Sequence, residues 1–423
     1  MSTPHELRRR LAHGLRLGAA GVAVAGEGRP GVGGARALVP AKVLGETALL
    51  CRVAGRLLAD EPALVRPEGL GAAHARLGDA LTRSLEPGRA ALAVAADPQC
   101  GAREAFPFAL LGDLDTGHRA VARHLFDLVG DDPVHELGDE PDPFDRLELS
   151  WLRSLADGSG SAEVPSGSVL ERGADLLHGD LTDAYALTHA VLHSTDCGLL
   201  SPRTDRPAGS VAQDAESLLG AALACGNLDV AAELLWTWPM LDLPLSPGAR
   251  YALAELDRAE ATHGFLPGPE YDPRVAASLA PADRSTYVIQ TSYHTAVAGA
   301  ILAAVLLRSA EGDGSAPVGG RPASVRRAAP TSVADPLPLL GHADGPWVAA
   351  LRSRPLADRV ACTELLVGAE LRTAAARRDP ARVHLVVAWA AEHGWAHLPS
   401  VRQGASLLSR VARVAAEPVT LAS

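Results

Sequence analysis

Apolar residues recur at helical spacing through most of the chain, in segments of about 10 to 20 residues that Gly, Pro and Asp separate. Alternating Val, Ile and Thr, the pattern of a half-buried strand, is scarce. The pattern therefore predicts an all-α fold. We expect stacked helical hairpins, which could close into an α/α toroid-like ring, because paired helices bury their apolar faces against neighbouring pairs.

Three hairpins are predicted from turn residues between apolar segments. Residues 217–241 contain a Cys-Gly-Asn turn, residues 356–395 an Arg-Asp-Pro turn, and residues 104–129 a Gly-Asp-Leu-Asp turn. The second turn places Pro380 at a helix start, where its missing N–H costs nothing. Residues 296–307 are apolar over about a dozen positions, fewer than the roughly 20 that a membrane span needs, so they predict a buried core helix.

Loop-rich segments divide the chain into helical regions. We assign residues 1–150 to an N-terminal region, 151–310 to a central region with the candidate site, 311–340 to a flexible linker or flap, and 341–423 to C-terminal hairpins. The linker assignment follows from the Gly, Ser, Pro, Ala and Arg content of that segment. A single domain containing all of them is the alternative.

Composition narrows the classes of function. The chain has 423 residues, of which 47% are hydrophobic and 4% aromatic, so a sizeable core is built from small aliphatic side chains. A net charge of −11 opposes binding to nucleic acid. Five cysteines without CxxC spacing indicate reduced thiols, and we expect a cytoplasmic protein with no membrane partner. Residues 8–26 imitate a signal peptide, but His13 and Arg16 interrupt the apolar part and favour an amphipathic first helix.

A stripe of polar, titratable side chains follows one face of the helix predicted for residues 178–196. His189 and His193 stand four residues apart and present two imidazoles on one face, at the spacing used by helical metal sites. Asp196 lies too far along the axis to share an ion with His189. The stripe consists of His178, Thr182, Tyr185, His189, His193 and Asp196.

His294, near the start of the longest apolar helix, is the candidate for an opposing imidazole. A divalent metal such as zinc or iron could bind to His189, His193 and His294. Metal-free acid–base chemistry is equally open, with His189 as general base, Asp196 as its orienter or a further acid, and Tyr185 as proton donor. The alternative without a site is a solvated face and a satisfied core histidine.

Two further motifs are weaker. Residues 26–31 spell GxGxxG, but no βαβ unit surrounds them, so we predict no nucleotide cofactor. Asp131, Asp132 and Glu136 are similar in arrangement to the aspartate-rich diphosphate sites of isoprenoid synthases, although Pro133 weakens the match. A terpenoid cyclase-like enzyme therefore stays an alternative, in spite of the poor supply of aromatic side chains for shielding a carbocation.

Three short motifs stand in the central part of the chain: Asp-Ala-Tyr-Ala-Leu-Thr-His at 183–189, Thr-Asp-Cys-Gly at 195–198 and Tyr-His-Thr at 293–295. In these motifs the chain resembles a family of actinobacterial helical proteins often encoded in natural-product gene clusters. The resemblance implies that the histidine ending the first motif, the aspartate of the second and the histidine of the third belong to the site. It also implies an aromatic residue where this chain has His193, which counts against paired imidazoles as metal ligands.

Together these observations predict a tailoring enzyme of specialised-metabolite biosynthesis, a lyase, cyclase or isomerase acting on a small molecule or a peptide-derived intermediate. The alternative is a non-catalytic helical-repeat adaptor or regulator that holds a partner protein in a groove. An adaptor leaves the histidines scattered on its outer surface, whereas an enzyme brings residues near 185 and near 294 together. A homodimer is left open.

Overall fold

The computed structural model describes residues 2–65, 69–130, 142–159, 162–178, 181–311, 334–341 and 345–416. These residues form nineteen α-helices and no strands, which confirms the predicted all-α fold. The helices are α1 Pro4–Gly26, α2 Pro40–Asp60, α3 Leu70–Ser84, α4 Pro87–Ala96, α5 Gly101–Leu111, α6 Thr116–Val129, α7 Pro143–Asp157, α8 Val169–Arg172, α9 Leu181–Ser194, α10 Ala208–Ala224, α11 Leu228–Met240, α12 Pro247–His263, α13 Pro273–Ser278, α14 Pro281–Glu311, α15 Pro346–Arg352, α16 Leu356–Ala361, α17 Thr363–Ala376, α18 Pro380–Glu392 and α19 Pro399–Ala416.

Six of these helices close into a ring. Helix α2 packs against α14, α14 against α11, α11 against α9, α9 against α7, α7 against α5, and α5 returns to α2. Further helices cover the outside: α1 lies on α2 and α14, α6 on α5 and α7, and α10 and α12 on α11. The ring-closed form of the prediction is therefore the better description of these helices, and its inner faces surround one cavity.

The helices before and after residue 150 share one hydrophobic core. Residue 150 lies inside α7, and one contiguous apolar cluster extends from Leu7 in α1 to Ala369 in α17. The hydrophobic core therefore continues across the predicted boundary at residue 150. A second, smaller cluster that includes Val383 and Val386 joins α17, α18 and α19. Of the predicted linker, residues 312–333 lie outside the described residues.

Turn and capping residues place the hairpins where the sequence predicts them. Helices α10 and α11 are joined at residues 225–227, and the Asn227 side chain accepts a hydrogen bond from the Val230 N–H at the start of α11. Pro380 is the first residue of α18, and Asp379 caps that helix. Asp115 caps α6 after the turn that follows α5. All three predicted hairpins are confirmed.

The longest helix, α14, runs through the core. Gly14 of α1 allows a close approach to it, because a Cβ at that position would lie 2.3 Å from the Ala300 Cβ. Among the described residues, α14 alone is long and apolar enough to cross a membrane, and 72% of its most apolar window is buried inside the protein. Such burial is typical of the core helix of a soluble protein, as the apolar segment 296–307 predicts.

Candidate active site

The ring surrounds a cavity of about 530 Å³ that is partly open to solvent, and all six of its helices contribute side chains to the wall. This volume falls in the range of about 300 to 1,000 Å³ that is usual for small-molecule sites. One part of the wall is polar and the remainder is apolar. The large apolar side chains of the wall are Leu49, Phe106, Leu152, Trp236, Val297 and Ile301.

The polar part is built around His294, which three carboxylates approach. Helix α11 carries Asp229 and Glu233 four residues apart, hence on one face. The Nε2 atom of His294 lies 3.2 Å from Oδ2 of Asp229 and 3.6 Å from Oε1 of Glu233. On the other side of the ring, its Nδ1 lies 3.0 Å from Oε2 of Glu46, a close contact whose angle is not that of a hydrogen bond. We call Glu46, Asp229, Glu233 and His294 the acidic cluster.

Charge stabilises the ionised forms in this cluster. Burial by itself lowers the pKa of His294, but the Asp229 and Glu46 carboxylates outweigh it and raise the pKa well above its ordinary value. Burial likewise raises the pKa of Asp229, and the ion pair with His294, with the Tyr185 hydrogen bond, brings the pKa below its ordinary value. The protonated, positively charged form of His294 is therefore favoured between these carboxylates.

Helix α9 holds the cluster from a third side. The Tyr185 hydroxyl donates a hydrogen bond to Oδ2 of Asp229 at 3.1 Å, and the Thr188 hydroxyl donates one to Oε2 of Glu233 at 2.9 Å. Burial raises the pKa of Tyr185, so its O–H stays protonated. Tyr185 and His294 contact the same oxygen of Asp229, so the regions near 185 and near 294 do come together.

His189 lines the same cavity with a defined orientation. Its Nδ1 lies 2.9 Å from the backbone carbonyl oxygen of Tyr185, which places the ring proton on Nδ1 and leaves Nε2 as an acceptor. The rings of Phe144 and Trp236 flank the imidazole edge-on, at 5.6 and 6.5 Å between centroids. The prediction that Asp196 orients His189 is thus corrected, because the carbonyl of Tyr185 does so.

His193 lies deeper, one turn further along α9, and takes a different environment. It stacks on Trp151 at 4.7 Å between ring centroids and is only 1% exposed. Burial, helped by the nearby His189, keeps its pKa well below the ordinary value, so the ring is neutral. Its Nδ1 has no hydrogen-bond partner in the described part of the chain.

The arrangement of possible metal ligands differs from the prediction of His189, His193 and His294. Within the described residues, ligand atoms that lie within 4.8 Å of one another belong to Asp229, Glu233 and His294. The carboxylates of α11 stand between α9 and α14. They therefore lie beside His294 as possible metal ligands, where the sequence predicts the imidazoles of α9. That set is corrected accordingly.

Asp196 does not line the cavity. Its Oδ1 lies 2.8 Å from Nη2 of Arg52 and accepts a hydrogen bond from Nε1 of Trp151 at 2.9 Å, while its Oδ2 lies 2.9 Å from Nη1 of Arg56. It is the first of three residues with positive φ, at 48°, 60° and 80°, that end α9. Asp196 therefore anchors the end of α9 to α2, and its proposed role as an acid is corrected to a structural one.

Three of the four cluster residues are absent from the site predicted from the sequence. Two of them had a visible signal, because Asp229 and Glu233 are carboxylates at helical spacing within the otherwise apolar segment Leu228–Met240. Glu46 had none, since it stands beside Lys42 in an ordinary i, i+4 pair on α2. The aspartate-rich segment with Asp131, Asp132 and Glu136 lies outside the described residues.

Residues 30–304 match the sequence profile of a family described as a domain of unknown function, DUF6895, and the chain belongs to that family. The matched range contains every member of the acidic cluster and all six helices of the ring, except for the part of α14 that follows residue 304. Helices α15 to α19 lie beyond it. No curated protein and no solved structure gives a significant match.

Proposed function

We propose that this member of the DUF6895 family is an enzyme that transforms a small molecule inside the helical ring by acid–base chemistry. The observation that carries the proposal is the cavity that His189 of α9, Glu233 of α11 and His294 of α14 line together, while Tyr185 and His294 contact one oxygen of Asp229. A protein-binding adaptor does not need partly buried imidazoles and carboxylates that converge on one cavity. Desolvating such groups costs free energy, which a binding surface for a protein partner would not require.

The geometry supports distinct roles for the cavity side chains. His189 is the proposed general base, because its Nδ1 hydrogen bond leaves Nε2 free to accept a substrate proton. Glu148 lines the cavity as well, and burial raises its pKa, which suits a proton donor. The acidic cluster would hold the polar group of the substrate. Base, acid and cluster together are the parts that an elimination, cyclisation or isomerisation needs.

The walls define the class of substrate. Apolar side chains such as Leu49, Phe106 and Trp236 suit a hydrocarbon or aromatic body. Lys42 and Arg103, whose side chains are 57% and 64% exposed, stand at the rim. We infer a largely apolar molecule with one polar end, and, with the family resemblance, a tailoring step on a small molecule or peptide-derived intermediate in cytoplasmic specialised metabolism.

A deletion and complementation experiment tests the proposal. The gene is deleted in the source organism, and the strain is complemented with the wild type, with Glu233→Gln or with the control Glu392→Gln on the exposed surface of α18. Extracts are compared by liquid chromatography and mass spectrometry. We expect one compound to accumulate in the deletion strain and in the Glu233→Gln strain, and to disappear with the wild type and the control.

Full restoration by Glu233→Gln would reject the enzymatic proposal. The isosteric amide removes the charge of Glu233 and keeps its shape, so a purely scaffolding role of the ring would survive the change. Circular dichroism of the purified variant verifies that the helical content is retained. Matched expression of all variants excludes a difference in protein level.

A further inference from the structure

We propose that Asp229, Glu233 and His294 form a site for one divalent transition-metal ion that opens onto the cavity. The inference names the cofactor class of the site described above, and its catalytic meaning rests on the proposed function. Its ligands are those that geometry brings together, and they share only His294 with the ligand set expected from the sequence.

The distances between the ligand atoms suit an ion. Nε2 of His294 is 3.2 Å from Oδ2 of Asp229 and 3.6 Å from Oε1 of Glu233. Ligand atoms at about 2.1 Å from zinc lie about 3.4 Å apart in a tetrahedron and about 3.0 Å apart in an octahedron. The His294 nitrogen therefore stands at the spacing of a neighbouring ligand from each carboxylate oxygen, and all three ligand atoms lie within 4.8 Å of one another between α11 and α14.

Each ligand also has a polar partner nearby. Nδ1 of His294, the nitrogen that would not bind the ion, lies 3.0 Å from Oε2 of Glu46, within the distance but without the angle of the hydrogen bond in a carboxylate–histidine–metal arrangement. Thr188 donates to the second oxygen of Glu233, and Tyr185 donates to Asp229. Outer partners of this kind fix the direction of ligand lone pairs.

A buried and unpartnered oxygen is the independent sign of a missing ligand. Oδ1 of Asp229 has no hydrogen-bond partner among the described residues, although Asp229 is only 3% exposed. A buried carboxylate oxygen without a partner is destabilising, because the hydration it loses on folding is not replaced. A cation between α11 and α14 would give this carboxylate a second partner.

The donor atoms indicate the class of ion. One imidazole nitrogen with two carboxylates suits Zn²⁺, Fe²⁺ or Mn²⁺, whereas Mg²⁺ and Ca²⁺ prefer oxygen ligands throughout. Three protein ligands leave coordination positions for water or substrate, as in catalytic rather than structural sites. His294 is 27% exposed, and both His294 and Glu233 line the cavity, so those positions face it.

Metal titration of the whole protein tests the inference. Protein treated with a chelator and dialysed is titrated with Zn²⁺, Mn²⁺ and Fe²⁺ by calorimetry, and bound metal is counted by mass spectrometry. We expect one ion per chain. Asp229→Asn and His294→Ala should weaken binding beyond the about 10- to 100-fold expected of Glu46→Gln, which removes only an outer partner. Glu148→Gln, a carboxylate of the same cavity outside the cluster, should leave the affinity unchanged.

Two results would overturn the inference. One is wild-type protein that binds no stoichiometric ion at concentrations up to 0.1 mM, and the other is Asp229→Asn that is folded by circular dichroism and binds as tightly as the wild type. Either result leaves the complementation experiment intact, because a metal-free enzyme would still need Glu233. Conversely, the wild type could bind one ion while the Glu233→Gln variant restores function fully. That pair of results would reject the proposed function and support the metal site.

Discussion

Replacing Asp196 with asparagine isolates the charge that anchors α9 to α2. The side chain is 4% exposed and contacts the guanidinium groups of Arg52 and Arg56 and the indole N–H of Trp151. Asparagine has the same shape, retains one acceptor oxygen and tolerates the φ of 48° that this residue adopts. The substitution therefore removes the negative charge with little change in packing or backbone.

The magnitude follows from what Arg52 loses. This guanidinium is fully buried, and breaking a buried ion pair by removing one partner costs about 3 to 5 kcal/mol. Arg52 keeps a second partner, because its Nε lies 3.0 Å from Oδ2 of Asp113. We therefore expect the lower end of that range, about 3 kcal/mol, which is a large part of the about 5 to 15 kcal/mol of a typical native protein.

Equilibrium unfolding in urea measures this loss. Far-ultraviolet circular dichroism reports the helices, and tryptophan fluorescence includes Trp151 of the network itself. A double-mutant cycle with Arg52→Met should give a coupling free energy of about 2 to 3 kcal/mol, since each single change removes the same pair. The exposed Asp205→Asn serves as control, with an expected change within about 0.5 kcal/mol.

A loss below about 1 kcal/mol for Asp196→Asn, or a coupling near zero, would refute this account of the network. Metal affinity supplies a second check. Because Asp196 lies outside the cavity, its replacement should leave ion binding to folded protein unchanged.

Two further predictions follow from packing and titration. Gly220→Ala should lower the free energy of unfolding, measured in urea, by about 1 to 3 kcal/mol, because its Cβ would lie 2.3 Å from the Leu365 carbonyl oxygen where α10 meets α17. Gly88→Ala is the control, because a Cβ at that position would meet no atom within 4 Å. An equal loss of stability in both variants would contradict the packing argument. The second prediction concerns His193, because burial lowers the pKa of this imidazole in the folded state. The neutral ring therefore contributes to stability above the unfolded-state pKa of about 6.5, and this contribution is lost as the pH falls below that value. His193→Phe should therefore lose less stability than the wild type between pH 6.5 and 5, and parallel curves of unfolding free energy against pH would count against it.

The helices and hairpins were predictable because their signals are local. Periodicity, the turn before Asn227 and the proline at 380 each act within a few residues, and the structure confirms them. The site was predictable only in part, since a polar stripe on one helix says which face is unusual but not what lies opposite. In the structure His189 lines the cavity, whereas Asp196 does not. The left-handed turn after α9 places Asp196 against arginines of α2 instead.

The carboxylates of α11 show the limit of sequence interpretation most clearly. Asp229 and Glu233 have the spacing of a ligand pair, yet the same spacing is common on solvated helix faces. Only their neighbours in the fold distinguish a buried ligand pair from a solvated helix face, and those neighbours come from α9 and α14. Such contacts depend on tertiary packing between segments far apart in sequence, which no local pattern encodes.

The order of the ring along the chain has a consequence for biosynthesis on the ribosome. Its first and last members, α2 and α14, are neighbours in space although more than two hundred residues separate them, so the circle can be completed only late in translation. Until α14 emerges, Glu46, Asp229 and Glu233 are acids that lack the imidazole of His294. In a nascent chain halted before that helix these groups would stay hydrated, and the cavity would form with the closing step of folding.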